Sequence, residues 1–140
     1  MKKRLAVCLA FACVALAAFP AAAETVALKA DMKAANEVPP NTSTATGAAE
    51  ATFDTGSKLM SWKGSYSGLS GPAAGAHFHG PGEAGKNAGI VLPFPSPTSP
   101  IKGSQTLTEA QAADLLAGKW YVNVHTAANP GGEIRGQMVK

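Results

Sequence analysis

The sequence predicts an all-β domain with one short helix near residues 109–117, and three observations predict it. Apolar and polar residues alternate with a period of two in several short segments, as in strands with one buried face. All fifteen glycines and nine of the ten prolines lie between Glu24 and Lys140, where they cut the chain into short pieces. Only one stretch carries a helix-start signal.

Ahead of this domain stands a leader. Lys2, Lys3 and Arg4 precede an apolar run from Leu5 to Phe19, and Ala21, Ala22 and Ala23 follow. This is the layout of a secretory signal peptide, with cleavage expected after Ala23. A membrane anchor needs roughly 20 apolar residues, and Pro20 interrupts this run, so an anchor is the weaker reading. The expected organisation is a signal peptide at 1–23 and one β domain at 24–140, in the periplasm or secreted.

Both cysteines, Cys8 and Cys13, lie in the leader, and neither follows the Leu-small-small pattern of a lipid-attachment site. The domain therefore has no disulfide and no thiolate ligand, and it is long enough to bury a core without cross-links. Three of the 12 basic residues also belong to the leader, whereas all nine acidic residues lie beyond it. The domain is formally neutral, which removes the case for capturing nucleic acid or an anionic membrane.

The elements follow in order. Val26, Leu28, Ala30 and Met32 alternate with Ala27, Lys29, Asp31 and Lys33, so a strand is expected, stopped by the paired prolines of Asn36 to Pro40. Thr46 to Asp54 reads as a second strand with Ala49, Ala51 and Phe53 on one face. Asp54 to Ser57 is its turn. Leu59 to Leu69 completes an antiparallel hairpin, with Met60, Trp62, Gly64 and Tyr66 on one parity. Gly71 to Gly75 punctuates, and Ala76 to His79 is a short strand before Gly80-Pro81-Gly82.

Gly89 to Pro93 reads as another apolar strand, and Pro93 to Pro100 as a mobile proline-rich loop. Thr108 to Gln111 has capping-box spacing, Ala112 to Ala117 are mostly helix formers, and Gly118 is placed as a stop. Trp120 to Thr126 and Glu133 to Val139 return to strand character around the turn Ala128 to Gly132. Trp62, Tyr66, Trp120 and Tyr121 read as core or rim aromatics.

The protein has three histidines: His77, His79 and His125. Two residues apart on a strand, His77 and His79 share a face, roughly 6 to 7 Å apart by strand rise. His125 ends a later strand, and a crossing of the two strands would gather three imidazoles. Such a set suits copper or zinc better than calcium or magnesium. The plainer alternative is that each ring bonds a backbone carbonyl or faces solvent. Glu133 and Arg135 share a strand face and read as a local ion pair. No nucleophile elbow, triad spacing or phosphate-gripping loop is present, so no catalytic residue and no organic cofactor is assigned.

Four ordered motifs carry a family resemblance: Asn36-Glu37-Val38-Pro39-Pro40, Ala76-His77-Phe78-His79-Gly80-Pro81, Tyr121 to Thr126, and Pro130 to Gln137. Together they resemble the chordin-type (CHRD) domain over about residues 26 to 139. The resemblance implies an immunoglobulin-like or dismutase-like Greek-key β-sandwich or barrel, and no firm activity. It also implies a distant similarity to copper/zinc superoxide dismutases, which His77, His79, His125 and Arg135 match in order. The bridging histidine, the zinc-loop histidines and the disulfide of those enzymes are missing. What the resemblance implies is a copper site of three imidazoles, with zinc as the other candidate ion.

Three functions follow as expectations. The first is an exported domain that holds a metal ion, copper favoured, without turnover. The second is a non-enzymatic interaction module of the cell envelope, binding a protein partner and using its histidines structurally. The third is a dismutase-like redox enzyme with Arg135 guiding an anion.

Overall fold

A computed structural model describes residues 22–140, so the expected signal peptide, apart from Ala22 and Ala23, lies outside the described residues. Among the described residues no helix is long and apolar enough to cross a membrane. The chain is mostly β, as its alternation and turn content predict. Its strands are β1 (Thr25–Lys33), β2 (Thr46–Asp54), β3 (Leu59–Ser67), β4 (Ala73–His79), β5 (Ile90–Pro93), β6 (Ile101–Thr106), β7 (Tyr121–Thr126) and β8 (Ile134–Gln137). Among the described residues one α-helix, α1, spans Glu109–Leu116 and begins with the predicted capping box, in which Thr108 and Gln111 bond each other's backbone N–H. Gly118 follows at a φ of 72°, the left-handed conformation that ends a helix.

The strands form one antiparallel sheet in the order β5-β4-β7-β8-β1-β2-β3-β6. The sheet curls into a half-barrel, and the period-two pattern decides what goes inside. Leu28, Ala30 and Met32 of β1, Ala49, Ala51 and Phe53 of β2, and Met60 and Trp62 of β3 are buried, while their neighbours face water. From the other half come Ala76 and Phe78 of β4, Val122 and Val124 of β7, and Ile134 of β8. Leu115 of α1 and Trp120 join the same core. Each large side chain buried in this way contributes about 1.5–3 kcal/mol.

Three departures from the sequence reading have physical causes. Strand β6 was not expected, because Ile101-Lys102-Gly103-Ser104-Gln105-Thr106 has one apolar residue. It is held by pairing along β3, and the Trp62 indole lies where a side chain at Gly103 would stand. Strand β4 begins at Ala73 rather than Ala76, since β7 pairs with the small residues read as punctuation.

The proline-rich run, expected as mobile, is tied down. Phe94 packs against Trp62 and Phe78 at centroid distances of 5.4 and 4.8 Å, linking the two halves of the curl. The Tyr66 hydroxyl donates to Pro97 O at 2.7 Å and accepts from Ser99 N at 3.1 Å.

The strand that positions the site is β7. All its residues but His125 are buried, because its outward face is roofed by the loop from Gly80 to Gly89. Arg135 Nη1 donates to Asn87 Oδ1 at 2.9 Å, and Nη2 donates to Lys86 O. Tyr121 Oη accepts from Ala88 N at 3.0 Å, and Gln137 Nε2 donates to Gly82 O at 2.9 Å. Polar side chains on β7 and β8 thus clip the loop down.

Candidate metal centre

Strand parity places His77 and His79 on the outward face of β4, with Ala76 and Phe78 turned to the core. On β7, the register sets Asn123 opposite His77, Tyr121 opposite His79 and His125 opposite Gly75. The crossing anticipated for His125 therefore occurs, and the three imidazoles meet. One nitrogen of each ring lies within 4.8 Å of the others.

Ring centroids are 4.9 Å apart for His77 and His125, 5.6 Å for His77 and His79, and 5.9 Å for His79 and His125. Three donors spread evenly around one ion at about 2.0–2.1 Å lie no more than roughly 3.6 Å from one another, so the widest pair here would have to close further to hold an ion.

Backbone carbonyls fix the tautomers. His79 Nδ1 stands 2.9 Å from Ala88 O, and His125 Nδ1 stands 2.9 Å from Pro130 O. A carbonyl only accepts, so each Nδ1 carries the hydrogen and each Nε2 keeps a lone pair. His77 Nδ1 lies 3.1 Å from His125 Nε2, and by the same logic it donates. To ligate through Nδ1, His77 would have to carry its hydrogen on Nε2 instead. Carbonyl contacts to the far nitrogen orient a ligating imidazole.

Burial disfavours protonation of His77 and His79. His77 is pushed down to about 4, by burial first and then by His125 and His79. His79 is also lowered, mainly by burial, against the Ala88 carbonyl, which favours the protonated ring. Neutral imidazole is the form that ligates.

The surroundings include residues that the sequence reading did not place around the histidines. Gly75 makes room for the cluster: a Cβ there would lie 3.1 Å from His77 Cε1 and 4.0 Å from His125 Cδ2. Tyr121 stacks on His79, and the Arg135 guanidinium carbon sits 3.4 Å from the Tyr121 ring centroid. The alternation of β7, which puts Tyr121, Asn123 and His125 on one face, was the available signal.

Glu37 is buried near Asn123, and its carboxyl is pushed up to about 7 by burial, against the pull of Arg135 and the Asn123 amide. Gly132, at φ 125°, leaves the space these two groups fill, since a Cβ there would stand 2.6 Å from Asn123 Nδ2.

The Glu133–Arg135 ion pair expected from the sequence does not form. Glu133 turns instead to Ser43, Ser70 and Thr126, which donate hydroxyl bonds of 2.6 to 2.7 Å. Arg135 is 2% exposed and engaged with the loop, so it braces the roof of the site.

Fold and site together define a small antiparallel β domain with a cluster of three imidazoles on one outward face. The chain belongs to the CHRD domain family: the CHRD domain model matches residues 28–138, which include all three histidines. No curated protein and no solved structure matches the chain. Neither comparison shows the expected similarity to copper/zinc superoxide dismutases.

Proposed function

We propose that this protein is an exported metal-binding domain that holds one ion, copper in preference to zinc, through His77, His79 and His125. It handles the ion without turning over a substrate. The observation that carries this reading is the convergence of the three ligand nitrogens, two of them with Nε2 left free by a carbonyl at Nδ1. The leader supports export to the periplasm or beyond, where the domain works without cysteine. The redox-enzyme reading draws no support from Arg135, whose buried guanidinium is not free to meet an anion.

The test is titration of Cu(II), Cu(I) and Zn(II) into the purified domain and into a variant with all three histidines changed to alanine. One equivalent of copper bound by the wild type alone is expected. Equal affinity in the two proteins ends the proposal.

One observation favours the interaction module as a second reading: β5 is a sheet edge, and its Ile90 is 56% exposed. An edge strand can accept a partner's strand. Recovery of one envelope protein, undiminished by chelator and lost on changing Ile90 to lysine, supports it.

A further inference from the structure

We propose that the side-chain oxygen of Asn123 is a fourth ligand of the metal centre, making a set of three nitrogens and one oxygen suited to a divalent ion. The proposal deepens the metal-binding reading above and rests on it.

Asn123 is 2% exposed and sits across the ladder from His77 on one side and Arg135 on the other. Its Oδ1 is buried and accepts no hydrogen bond, and the same is true of Nε2 of His79, a residue 8% exposed. These two orphans face the same way, since Asn123 lies on the outward face of β7 opposite His77, between Tyr121, which pairs with His79, and His125. The amide is oriented by what lies behind it. Nδ2 and the Glu37 carboxyl share the space vacated by the missing Gly132 side chain, so the donor end faces the carboxyl. The acceptor end is left on the histidine side.

His79 cannot answer it. Its only hydrogen is on Nδ1, bound to Ala88 O, so Nε2 offers a lone pair toward another lone pair. Two buried acceptors with no donor between them each leave a desolvated lone pair unanswered. A cation removes both at once, by drawing on Nε2 and Oδ1 together. An amide oxygen is also a harder donor than imidazole, which favours Cu(II) or Zn(II) over Cu(I) in the completed set.

The experiment compares Cu(II) binding and electron paramagnetic resonance spectra of the wild type, Asn123→Leu and Asn123→Asp, with thermal unfolding of each metal-free protein as the control. Asn123→Leu removes the oxygen at similar volume and is expected to weaken Cu(II) binding by at least about tenfold and to change the copper hyperfine pattern. Asn123→Asp keeps an oxygen and is expected to retain binding with an altered spectrum. Should the leucine variant fail to fold, Asn123→Ser, too short to reach the ion, gives the same reading.

Wild-type affinity and an unchanged spectrum in the leucine or serine variant overturn the proposal, whatever happens to stability. Failure of the parent reading looks different, because the wild type then binds Cu(II) no better than the triple-alanine variant.

Discussion

The ring of His79 lies flat on the ring of Tyr121, with centroids 4.9 Å apart and planes 3° from parallel. Both side chains then end on one residue: His79 Nδ1 and the Tyr121 hydroxyl donate to Ala88 O at 2.9 and 3.2 Å. Stack and carbonyl together fix the plane and the tautomer of a candidate ligand.

Tyr121→Phe keeps the stack and loses the hydroxyl bonds to Ala88, so stability is expected to fall by about 0.5–1.5 kcal/mol in urea unfolding. Tyr121→Ala removes a ring that is 2% exposed and is expected to lose about 3–5 kcal/mol. Equal losses in the two variants would show that the hydroxyl, not the stack, is what matters.

Metal is expected to stabilise the fold. An ion bound only by the native state adds about 2.7 kcal/mol when present at 100 times its Kd, a rise in Tm of roughly 10 °C for a domain of this size. Differential scanning calorimetry with and without Cu(II) measures it. A His125→Ala protein that gains as much as the wild type contradicts the assigned ligands.

Acid is expected to destabilise the metal-free protein in a defined window. His77 and His79 titrate near 6.5 in the unfolded chain, but the fold lowers both, His77 to about 4. Between those values the unfolded state holds more protons, so stability falls as pH drops from about 6.5 toward 4. Equilibrium unfolding at several pH values reads the slope, and His77→Gln is expected to flatten it.

Glu133 sets a second window. Burial raises its carboxyl, but the hydroxyls of Ser43, Ser70 and Thr126 and the Ser70 amide outweigh that and bring it down to about 2. The unfolded chain takes up this proton first, so the contribution of Glu133 is complete above about 4.5 and is lost as pH falls toward 2. Glu133→Gln is expected to lower stability at neutral pH by about 1.5–3 kcal/mol, the worth of hydrogen bonds to a charged group. Loss below about 0.5 kcal/mol would show that the hydroxyls suffice without the charge.

Closure of the curl by Phe94 gives a further outcome. Its ring touches both Trp62 and Phe78, so Phe94→Ala is expected to destabilise by about 3 kcal/mol. Amide exchange should rise at β5 and β6 before it rises at β1 and β2. A uniform rise across the sheet would mean that the aromatic contact adds stability without holding the edges.

Much of this was legible in the chain. Alternating faces marked β1, β2 and β3, strand-type composition marked β7, the capping box marked α1, and the spacing of His77 and His79 marked one half of the site. Strand β6 was illegible because backbone pairing, not an apolar face, holds it. The partner of Glu133 was illegible for a different reason: two residues on one strand face suggest each other, while Ser43 and Ser70 arrive from 90 and 63 residues away. Asn123 carried no signal of its own, since an amide in an alternating strand looks like any solvated polar residue. Only the roof over β7 makes it a buried one.

Strand β7 keeps Val122 and Val124 in the core and Tyr121, Asn123 and His125 under the loop, so neither of its faces is free to relax. Ions that need a protein to fold around them are released only when it unfolds. Here the donor frame stands close to assembled before any ion arrives, with small movements of the rings left to complete it. A frame of this kind would let an ion leave without costing the fold, which is what the proposed ion-handling role requires.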